Sequence, residues 1–222
     1  MKVGWWLKGV YGLAALLFLG VLSFAVFQPI KVLPRITLAP GLALRDEAGR
    51  SLSNEDLRGQ IVLYNFTFAE CAAPCAQMNS VLRAVQHRLP EVNTSGLAVR
   101  LVSISIDPAR DTPAVLADLA VANGADPDVW RFATGDPLRL KSAVGAGFQL
   151  YYGPAPDGRL TVDPLFALVD GGGILRAEYR TAAPAVDRLL RDIGLLAEEA
   201  RNSTGAGRYA YEAAHLFLCY PR

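Results

Sequence analysis

The stretch QIVLYNFTFAECAAPCAQM, residues 60–78, joins a buried-strand pattern to a pair of cysteines. Residues 60–68 form a continuous run of β-branched and aromatic side chains, which is typical of a strand buried on both faces. Cys71 and Cys75 follow in C-x-x-x-C spacing, and apolar residues then recur at helical spacing from Met78 onward. The pattern predicts a strand, a loop bearing two thiols, and a helix.

Three kinds of chemistry are open to this cysteine pair: an inert structural disulfide, a redox couple, or a metal clamp. A cysteine at a strand-to-helix junction lies near the positive end of the helix dipole, which stabilises the thiolate. Thiolate is the nucleophile in disulfide exchange and also a soft ligand for Cu(I). The junction therefore favours redox or copper chemistry over an inert disulfide.

Strand-like and helix-like segments alternate on both sides of this stretch. The sequence predicts a hairpin at 42–53, strands at 97–107 and 129–136, helices at 112–122, 137–144 and 183–199, and a strand–turn–strand at 166–180. This alternation predicts an α/β domain with a largely parallel sheet.

The N-terminal segment predicts a membrane anchor. Residues 9–30 carry no charge and lie between Lys8 and Lys31. They exceed the roughly 20 apolar residues that span a bilayer. A signal peptide cleaved after the small-x-small run at 23–25 is the alternative. Both interpretations place the remaining chain outside the cytoplasm, where disulfides persist.

Composition narrows the partners and the source of stability. The net charge of +1 and 19% charged residues give no sign of a nucleic-acid partner. Three cysteines in 222 residues are too few for a disulfide-built scaffold. The domain core must therefore come from apolar burial, which 52% hydrophobic residues supply.

Several segments together resemble the Sco/SenC family. They are YNFTFAECAAPC (64–75), SISIDPARDTPAVLADLA (103–120), ATGD (133–136), and TVDP with LVDGGG (161–173), in the family's order. The resemblance covers residues 36–197 and implies a membrane-anchored, thioredoxin-like α/β fold with a mixed, mostly parallel sheet. It also implies a role in assembling the copper centre of cytochrome c oxidase.

The resemblance assigns roles to particular residues. Cys71 and Cys75 are expected to be the copper-binding and redox sulfurs. Asp107, Arg110 and Asp111 fall in the family's acidic-basic segment, for which capping of the following helix is an equally simple explanation.

The third copper ligand of the family, a histidine in a V-D-H pattern, is missing. The corresponding run here is Val162-Asp163-Pro164, and no histidine occurs between His87 and His215. Alignment on the motif places Pro164 at the ligand position. Counting back from residues 168–170 without gaps places Val162 there instead. Neither residue binds copper.

Pro164 also resembles the cis-proline that precedes a strand in thioredoxins and membrane-tethered thiol-disulfide oxidoreductases. In those folds the proline lies against the active disulfide and disfavours metal, which would make Pro164 a participant in redox chemistry. An ordinary edge-strand proline is the alternative.

Two other histidines remain as candidate ligands. His87 lies 12 residues beyond Cys75, roughly 18 Å along a helix, and is expected to be a solvated surface residue. His215 and Cys219 are spaced i, i+4 and would share a helix face, as a copper or zinc pair can. An apolar tail that docks on the domain, the membrane or a partner is the alternative.

These inferences give a domain organisation. It comprises a cytoplasmic segment (1–8), a transmembrane anchor (9–30), a tether (31–41), a thioredoxin-like domain (42–200), a linker (201–208) and an apolar tail (209–222). The soluble domain is expected on the extracytoplasmic side of the cell membrane.

Three functions follow as hypotheses. The first is a Cu(I) chaperone for the copper-bearing subunit of cytochrome c oxidase. The second is a thiol-disulfide oxidoreductase that works through Cys71 and Cys75, although thioredoxin-type enzymes use C-x-x-C. The third is a structural subunit of a respiratory complex that has lost its chemistry.

Overall fold

The computed structural model of the protein describes residues 3–27, 30–94, 96–155, 158–205 and 207–217. The chain divides into two compact units. The first unit comprises residues 1–32 and 202–222, and the second comprises residues 33–201.

The first unit contains a long apolar helix, α1 (Val3–Phe27). Its segment Trp6–Ser23 has a mean hydropathy of 1.6, and none of that segment is buried. Among the described residues this is the one helix long and apolar enough to cross a membrane. The helix begins ahead of the predicted anchor at residue 9 and ends three residues short of residue 30. The unit also contains α6 (Gly207–Phe217).

The second unit contains the remaining elements. Its helices are α2 (Cys75–Arg88), α3 (Pro113–Asn123), α4 (Pro137–Leu140), which continues as a π-helical segment (Lys141–Gly147), and α5 (Val186–Arg201). Its strands are β1 (Thr37–Leu38), β2 (Ala43–Asp46), β3 (Ser51–Ser53), β4 (Ile61–Thr67), β5 (Val99–Ser105), β6 (Trp130–Gly135), β7 (Tyr152–Pro154), β8 (Leu160–Val162), β9 (Phe166–Val169) and β10 (Ile174–Tyr179).

The described strands form an eight-stranded mixed sheet and a separate β7–β8 hairpin. The order in the sheet is β1-β10-β9-β4-β5-β6-β2-β3. Parallel pairing occurs at the centre, between β4 and β5 and between β5 and β6. The outer strands pair antiparallel. The mixed thioredoxin-like sheet is confirmed, but its parallel part is smaller than the strand–helix alternation predicted, because several connections are tight turns rather than helical crossovers.

Strand β4 lies at the centre of the core, and all of its residues are buried. Because side chains alternate across a strand, Val62, Tyr64 and Phe66 enter one hydrophobic cluster. Ile61 and Leu63 enter the other cluster, which includes apolar residues of α2 and α5. Full burial of each such side chain contributes about 1.5–3 kcal/mol. This two-sided packing fixes the end of β4, where the cysteine loop begins.

The segment predicted as a tether belongs to the domain from Leu33 onward. Strand β1 pairs with β10, and the flanking amide of Ile36 donates a hydrogen bond to the Leu175 carbonyl at 2.9 Å. The buried guanidinium of Arg176 binds the carbonyl oxygens of Leu33 and Pro34. The proline-rich segment that suggested a semi-extended tether therefore forms an edge strand and the residues that lead into it.

The helix start signals are confirmed in detail. The Thr112 side chain accepts a hydrogen bond from the Val115 amide, and Pro113 is the first residue of α3. The closing helix begins at Val186, three residues later than the predicted start at 183, and ends at Arg201. The predicted helix 137–144 is longer, because the π-helical segment carries it to Gly147.

Candidate functional site: the Cys71–Cys75 pair

The two cysteines lie where the sequence placed them, between β4 and α2. They form a disulfide with a Cα–Cα distance of 5.7 Å. Cys75 is the first residue of α2 and is 1% exposed, whereas Cys71 is partly exposed in the preceding loop. The Cys71 amide donates to the Phe68 carbonyl at 3.1 Å, which turns the loop back on the strand end. The pair is thus one accessible sulfur backed by one buried sulfur.

Pro74 stands at the N-cap of α2, where no side chain caps the helix. Backbone carbonyls accept from the first amides of α2 instead: the Ala76 amide donates to the Ala72 carbonyl at 2.9 Å and the Gln77 amide to the Pro74 carbonyl at 3.1 Å. The positive end of the helix dipole faces the loop that carries the sulfurs. The Ala73–Pro74 bond is cis, and among the described residues it is the one cis bond. The Asp163–Pro164 bond, for which the sequence suggested a cis form, is not cis.

Asp111 ties the cysteine loop to the end of β5. Its Oδ2 accepts hydrogen bonds from the Ala69 amide at 3.0 Å and from the Ser105 hydroxyl at 2.5 Å. The residue is 1% exposed, and burial raises the pKa of its carboxyl, partly offset by these two hydrogen bonds. The helix-capping role falls to Thr112, so Asp111 positions the cysteine loop instead.

Arg110 links the neighbouring acidic groups at the surface. Its guanidinium pairs with Asp107 at 2.6 Å and with Glu70 at 3.0 Å. The hydrogen bond to Asp107 raises the pKa of this guanidinium. Glu70 directly precedes Cys71, so the pair forms a second, exposed connection between the acidic-basic segment and the cysteine loop.

A cleft of about 480 Å³ opens beside Cys71. One wall is the loop from Glu70 to Pro74, and another is formed by residues of the β7–β8 hairpin, including Val162. Val162 is 2% exposed and belongs to the same hydrophobic cluster as Cys75. Pro164 is half-buried ahead of β9 and does not line this cleft. Of the two positions that the alignments offered, Val162 lines the same cleft as Cys71 and Pro164 does not line it.

Two of the other candidate ligands, His87 and His215, lie within the described residues. His87 is exposed near the end of α2, as predicted. His215 is half-buried on α6, in the first unit, and Cys219 lies outside the described residues. Within the described part of the chain, no group of three or more histidine, cysteine or acidic residues is arranged to hold a metal ion.

Sequence reasoning missed the loop-binding role of Asp111. Its signal was present in the run Asp107 to Asp111, directly after a buried strand in parallel register with β4. Because the carboxyl ends of parallel neighbours lie at the same sheet edge, an acidic residue there was a candidate partner for the cysteine loop.

Comparisons with known proteins agree with the fold. A family model described as SCO1/SenC matches residues 36–195. A SCO1 protein homolog of Bacillus subtilis is 30% identical over 129 residues, covering 58% of this chain and 65% of the homolog. The aligned part therefore spans just under two thirds of that relative.

Two solved structures show the same fold. BsSco, reported with a disulfide switch and as a member of the Sco family of cytochrome c oxidase assembly proteins, has a TM-score of 0.63 at 23% identity, covering 74% of this chain and 96% of that one. ScoI of Arabidopsis thaliana, with copper bound, has a TM-score of 0.60 at 23% identity, covering 70% and 98%.

Fold and site together define a thioredoxin-like protein with a C-x-x-x-C pair between its central strand and the following helix. The family match extends over most of that domain. The chain belongs to the SCO1/SenC family.

Proposed function

We propose that this protein assists assembly of the copper centre of cytochrome c oxidase through Cys71 and Cys75. The observation that carries the proposal is the disulfide between a partly exposed and a buried cysteine at the start of α2. BsSco, which shares the fold, is a member of a family of cytochrome c oxidase assembly proteins. Thiol–disulfide exchange is the chemistry that this geometry supports best.

The order of the two exchange steps follows from the unequal exposure of the sulfurs. In the reduced protein, the Cys71 thiolate attacks a target disulfide, forming a mixed disulfide and releasing one target thiolate. The Cys75 thiolate then attacks the Cys71 sulfur, which closes the Cys71–Cys75 bond and releases the second target thiolate. The two protons of the original thiols pass to the released sulfurs. A dithiol reductant must return the pair to the reduced state.

Carriage of Cu(I) is the second candidate, supported by copper in the related ScoI structure. Two thiolates suffice for two-coordinate Cu(I), the soft ion that thiolates select. The valine at position 162 offers no nitrogen to the cleft, so Cu(II), which prefers nitrogen ligands, is expected to bind weakly. Both chemistries serve the same partner, a copper-bearing oxidase subunit.

Membrane attachment through α1 completes the proposal. The helix is long and apolar enough to cross a bilayer. An extracytoplasmic position of the cysteine domain suits a disulfide-forming pair. It also suits a partner whose copper cysteines must be reduced before metal enters.

The test separates the two chemistries with one set of variants. The reduced full-length protein, Cys71→Ser and Cys75→Ser are each mixed with an oxidised oxidase-subunit domain, and free target thiols are counted. We expect the wild type to release two thiols per turnover and Cys75→Ser to stop at a mixed disulfide. If the wild type fails to reduce the target, the exchange role is lost.

Copper carriage is tested by anaerobic Cu(I) competition titration of the same proteins. We expect each cysteine variant to lose high-affinity binding, whereas His215→Ala and Cys219→Ser retain it. Wild-type binding no tighter than that of Cys71→Ser would remove the chaperone role. A loss of affinity in His215→Ala would instead make the tail a ligand donor.

A further inference from the structure

The β7–β8 hairpin stands apart from the main sheet, and one edge of β8 has no partner strand. Among the described strands, β8 pairs with β7 alone. An unpaired strand edge presents a row of backbone N–H and C=O groups that can pair with another chain. Neither the exchange steps nor copper carriage requires this edge.

The hydrogen bonds of the hairpin show which residues of β8 face outward. Two backbone bonds flank the paired residues: the Asp163 amide donates to the Tyr151 carbonyl at 3.1 Å, and the Ala155 amide donates to the Arg159 carbonyl at 2.7 Å. In an antiparallel ladder, bonded pairs alternate with non-bonded pairs. By this alternation, Leu160 and Val162 stand in non-bonded pairs and direct their amides and carbonyls away from β7.

The outward edge of β8 lines the cleft beside Cys71. Residues 158–162 border that cleft consecutively. Because side chains alternate between the two faces of a strand, a cleft bordered by consecutive residues runs along the edge of the strand rather than over one face. The opposite wall is the loop from Glu70 to Pro74, which carries the accessible sulfur. The open edge and the attacking cysteine therefore face the same space.

Both walls of this cleft are held in place by contacts with the domain. Val162 is 2% exposed and shares a hydrophobic cluster with Cys75, and Leu160 packs against the same cluster. On the other wall, the buried Asp111 carboxylate accepts a hydrogen bond from the Ala69 amide at 3.0 Å. Walls that are already ordered lower the entropic cost of binding a segment between them.

We propose that the open edge of β8 binds an extended segment of the exchange partner as an added strand, which brings the partner's disulfide to Cys71. The occupant is an extended segment, because the outward groups of Leu160 and Val162 have the spacing of a strand edge. Backbone hydrogen bonds then supply the affinity. The Asp163 amide is already bonded within the hairpin, so the pairing ends at Val162. This inference rests on the proposed thiol–disulfide exchange.

The release of thionitrobenzoate from two probes tests this docking. The first probe is a heptapeptide of threonine and alanine whose central cysteine carries thionitrobenzoate in a mixed disulfide. The second is N-acetylcysteinamide with the same group. The reduced full-length Cys219→Ser protein is used, so that Cys71 and Cys75 are its thiols. Attack by the Cys71 thiolate on the cysteine sulfur of the probe expels thionitrobenzoate, the better leaving group, and its absorbance gives the second-order rate constant.

We expect the peptide to react at least about tenfold faster than N-acetylcysteinamide, since two backbone hydrogen bonds of ordinary net strength correspond to about that factor. Two N-methylated peptides test the strand pairing. One is methylated on the amides of the residues adjacent to the cysteine, and the other on the amides two positions away. Because alternate amides of a strand point to opposite edges, one peptide should lose the rate advantage and the other should keep it.

A protein variant tests the same contact from the other side. Leu160→Pro removes an outward amide at a strand edge, where proline is tolerated. We expect this variant to lower the ratio of the peptide's rate constant to that of N-acetylcysteinamide several-fold. Leu160→Ala is the matched control, because it loses the same side chain but keeps the amide, and it should retain the wild-type ratio. The ratio cancels any change in thiol reactivity that affects both probes.

Four outcomes overturn the inference. Equal rate constants for the two probes do so while leaving the exchange chemistry intact, as does an identical response of the two methylated peptides. A dimer of the oxidised protein in sedimentation velocity that Leu160→Pro abolishes would show that a second copy occupies the edge. If neither probe releases thionitrobenzoate, the proposed exchange is itself lost, and with it the partner that the edge would bind.

Discussion

The two cysteine sulfurs differ in exposure, and this difference predicts their order of reaction. Cys71 is partly exposed beside an open cleft, whereas Cys75 is 1% exposed within a hydrophobic cluster. In the reduced protein we expect iodoacetamide to alkylate Cys71 roughly tenfold faster than Cys75, because burial limits both access and thiolate formation. Peptide mass spectrometry over a time course measures both rates. Equal rates would contradict the proposed division into attacking and resolving cysteine.

The buried carboxyl of Asp111 predicts a pH dependence of stability. Burial raises the pKa of this carboxyl above its ordinary value of 3.8. Between the two values the folded state keeps a proton that the unfolded chain has lost, so this group's contribution to stability falls as pH rises through that interval. Asp111→Asn can keep an acceptor for Ala69 and Ser105 but has no such titration.

The melting temperature of Asp111→Asn is therefore expected to rise relative to wild type between pH 4 and pH 7. Thermal scans by circular dichroism at several pH values measure the difference. Asp118→Asn, at an exposed position on α3, controls for the loss of one negative charge. If the melting temperature of Asp111→Asn instead fell relative to wild type as pH rises, the direction assigned to the pKa shift of Asp111 would be wrong.

Val162 is the position at which we expect an introduced ligand to increase the affinity for a metal ion. It lines the cleft beside Cys71, whereas Pro164 does not. We expect Val162→His to bind Cu(II) at least about tenfold more tightly than wild type, because imidazole supplies the nitrogen that this ion prefers. Visible absorption from thiolate-to-copper charge transfer measures it. Pro164→His is the matched control, and a gain confined to that variant would favour the motif-based alignment.

At the scale of elements, Arg176 holds the residues that precede β1, Leu33 and Pro34, against the sheet. Its guanidinium is 2% exposed and pairs with Asp170 and Glu199 at 2.8 and 2.7 Å, besides binding two backbone carbonyls. We expect Arg176→Met to lower the free energy of unfolding by about 3–5 kcal/mol, because the buried Glu199 carboxylate loses its principal partner. Guanidinium denaturation measures the loss.

The control for this ion pair is Arg58→Met. Arg58 pairs with Glu55 at 3.0 Å, and both side chains are mostly exposed. Loss of the Arg58–Glu55 pair should change the free energy of unfolding by at most about 1 kcal/mol, as is usual for surface ion pairs. Similar losses in both variants would show that the Arg176 network does not hold the segment.

The elements also show what the sequence could and could not predict. Strand β4, the cap of α3 and the position of the cysteine pair followed from local patterns, because buried strands and helix starts have strong local signals. The pairing of β1 with β10 was missed, since Thr37 and Leu38 form a two-residue strand whose partner is more than a hundred residues away. The network around Arg176 was missed for the same reason: Asp170 is near Arg176 in sequence, but Pro34 and Glu199 come from distant segments.

For the candidate site too, some features could be predicted from the sequence and others could not. Cys71, Cys75 and the exposed His87 followed from spacing along one strand and one helix. That Val162 lines the cleft and Pro164 does not could not be predicted, because it depends on how the β7–β8 hairpin meets the cysteine loop. Local chemistry was predictable, whereas contacts between segments distant in sequence were not.

At the scale of the whole molecule, the division into two units predicts which part carries the fold. Both large core clusters of the described residues draw on the chain between Leu33 and Ala197. Removal of residues 202–222 should therefore shift the melting temperature of the domain by less than about 4 °C, the change that roughly 1 kcal/mol produces in a unit of this size. Circular dichroism of the full-length and shortened chains measures it.

A second truncation shows where the fold does fail. A chain that ends before Val186 loses α5, whose Leu189 and Ile193 are fully buried in the core. Four large apolar residues of α5 are buried in the core: Leu189, Leu190, Ile193 and Leu196. At about 2–5 kcal/mol each, their loss removes about 8–20 kcal/mol, which is as large as the 5–15 kcal/mol by which folded domains are usually stable. This chain should not fold. A drop of more than about 8 °C on removing residues 202–222 alone would show that these residues stabilise the domain.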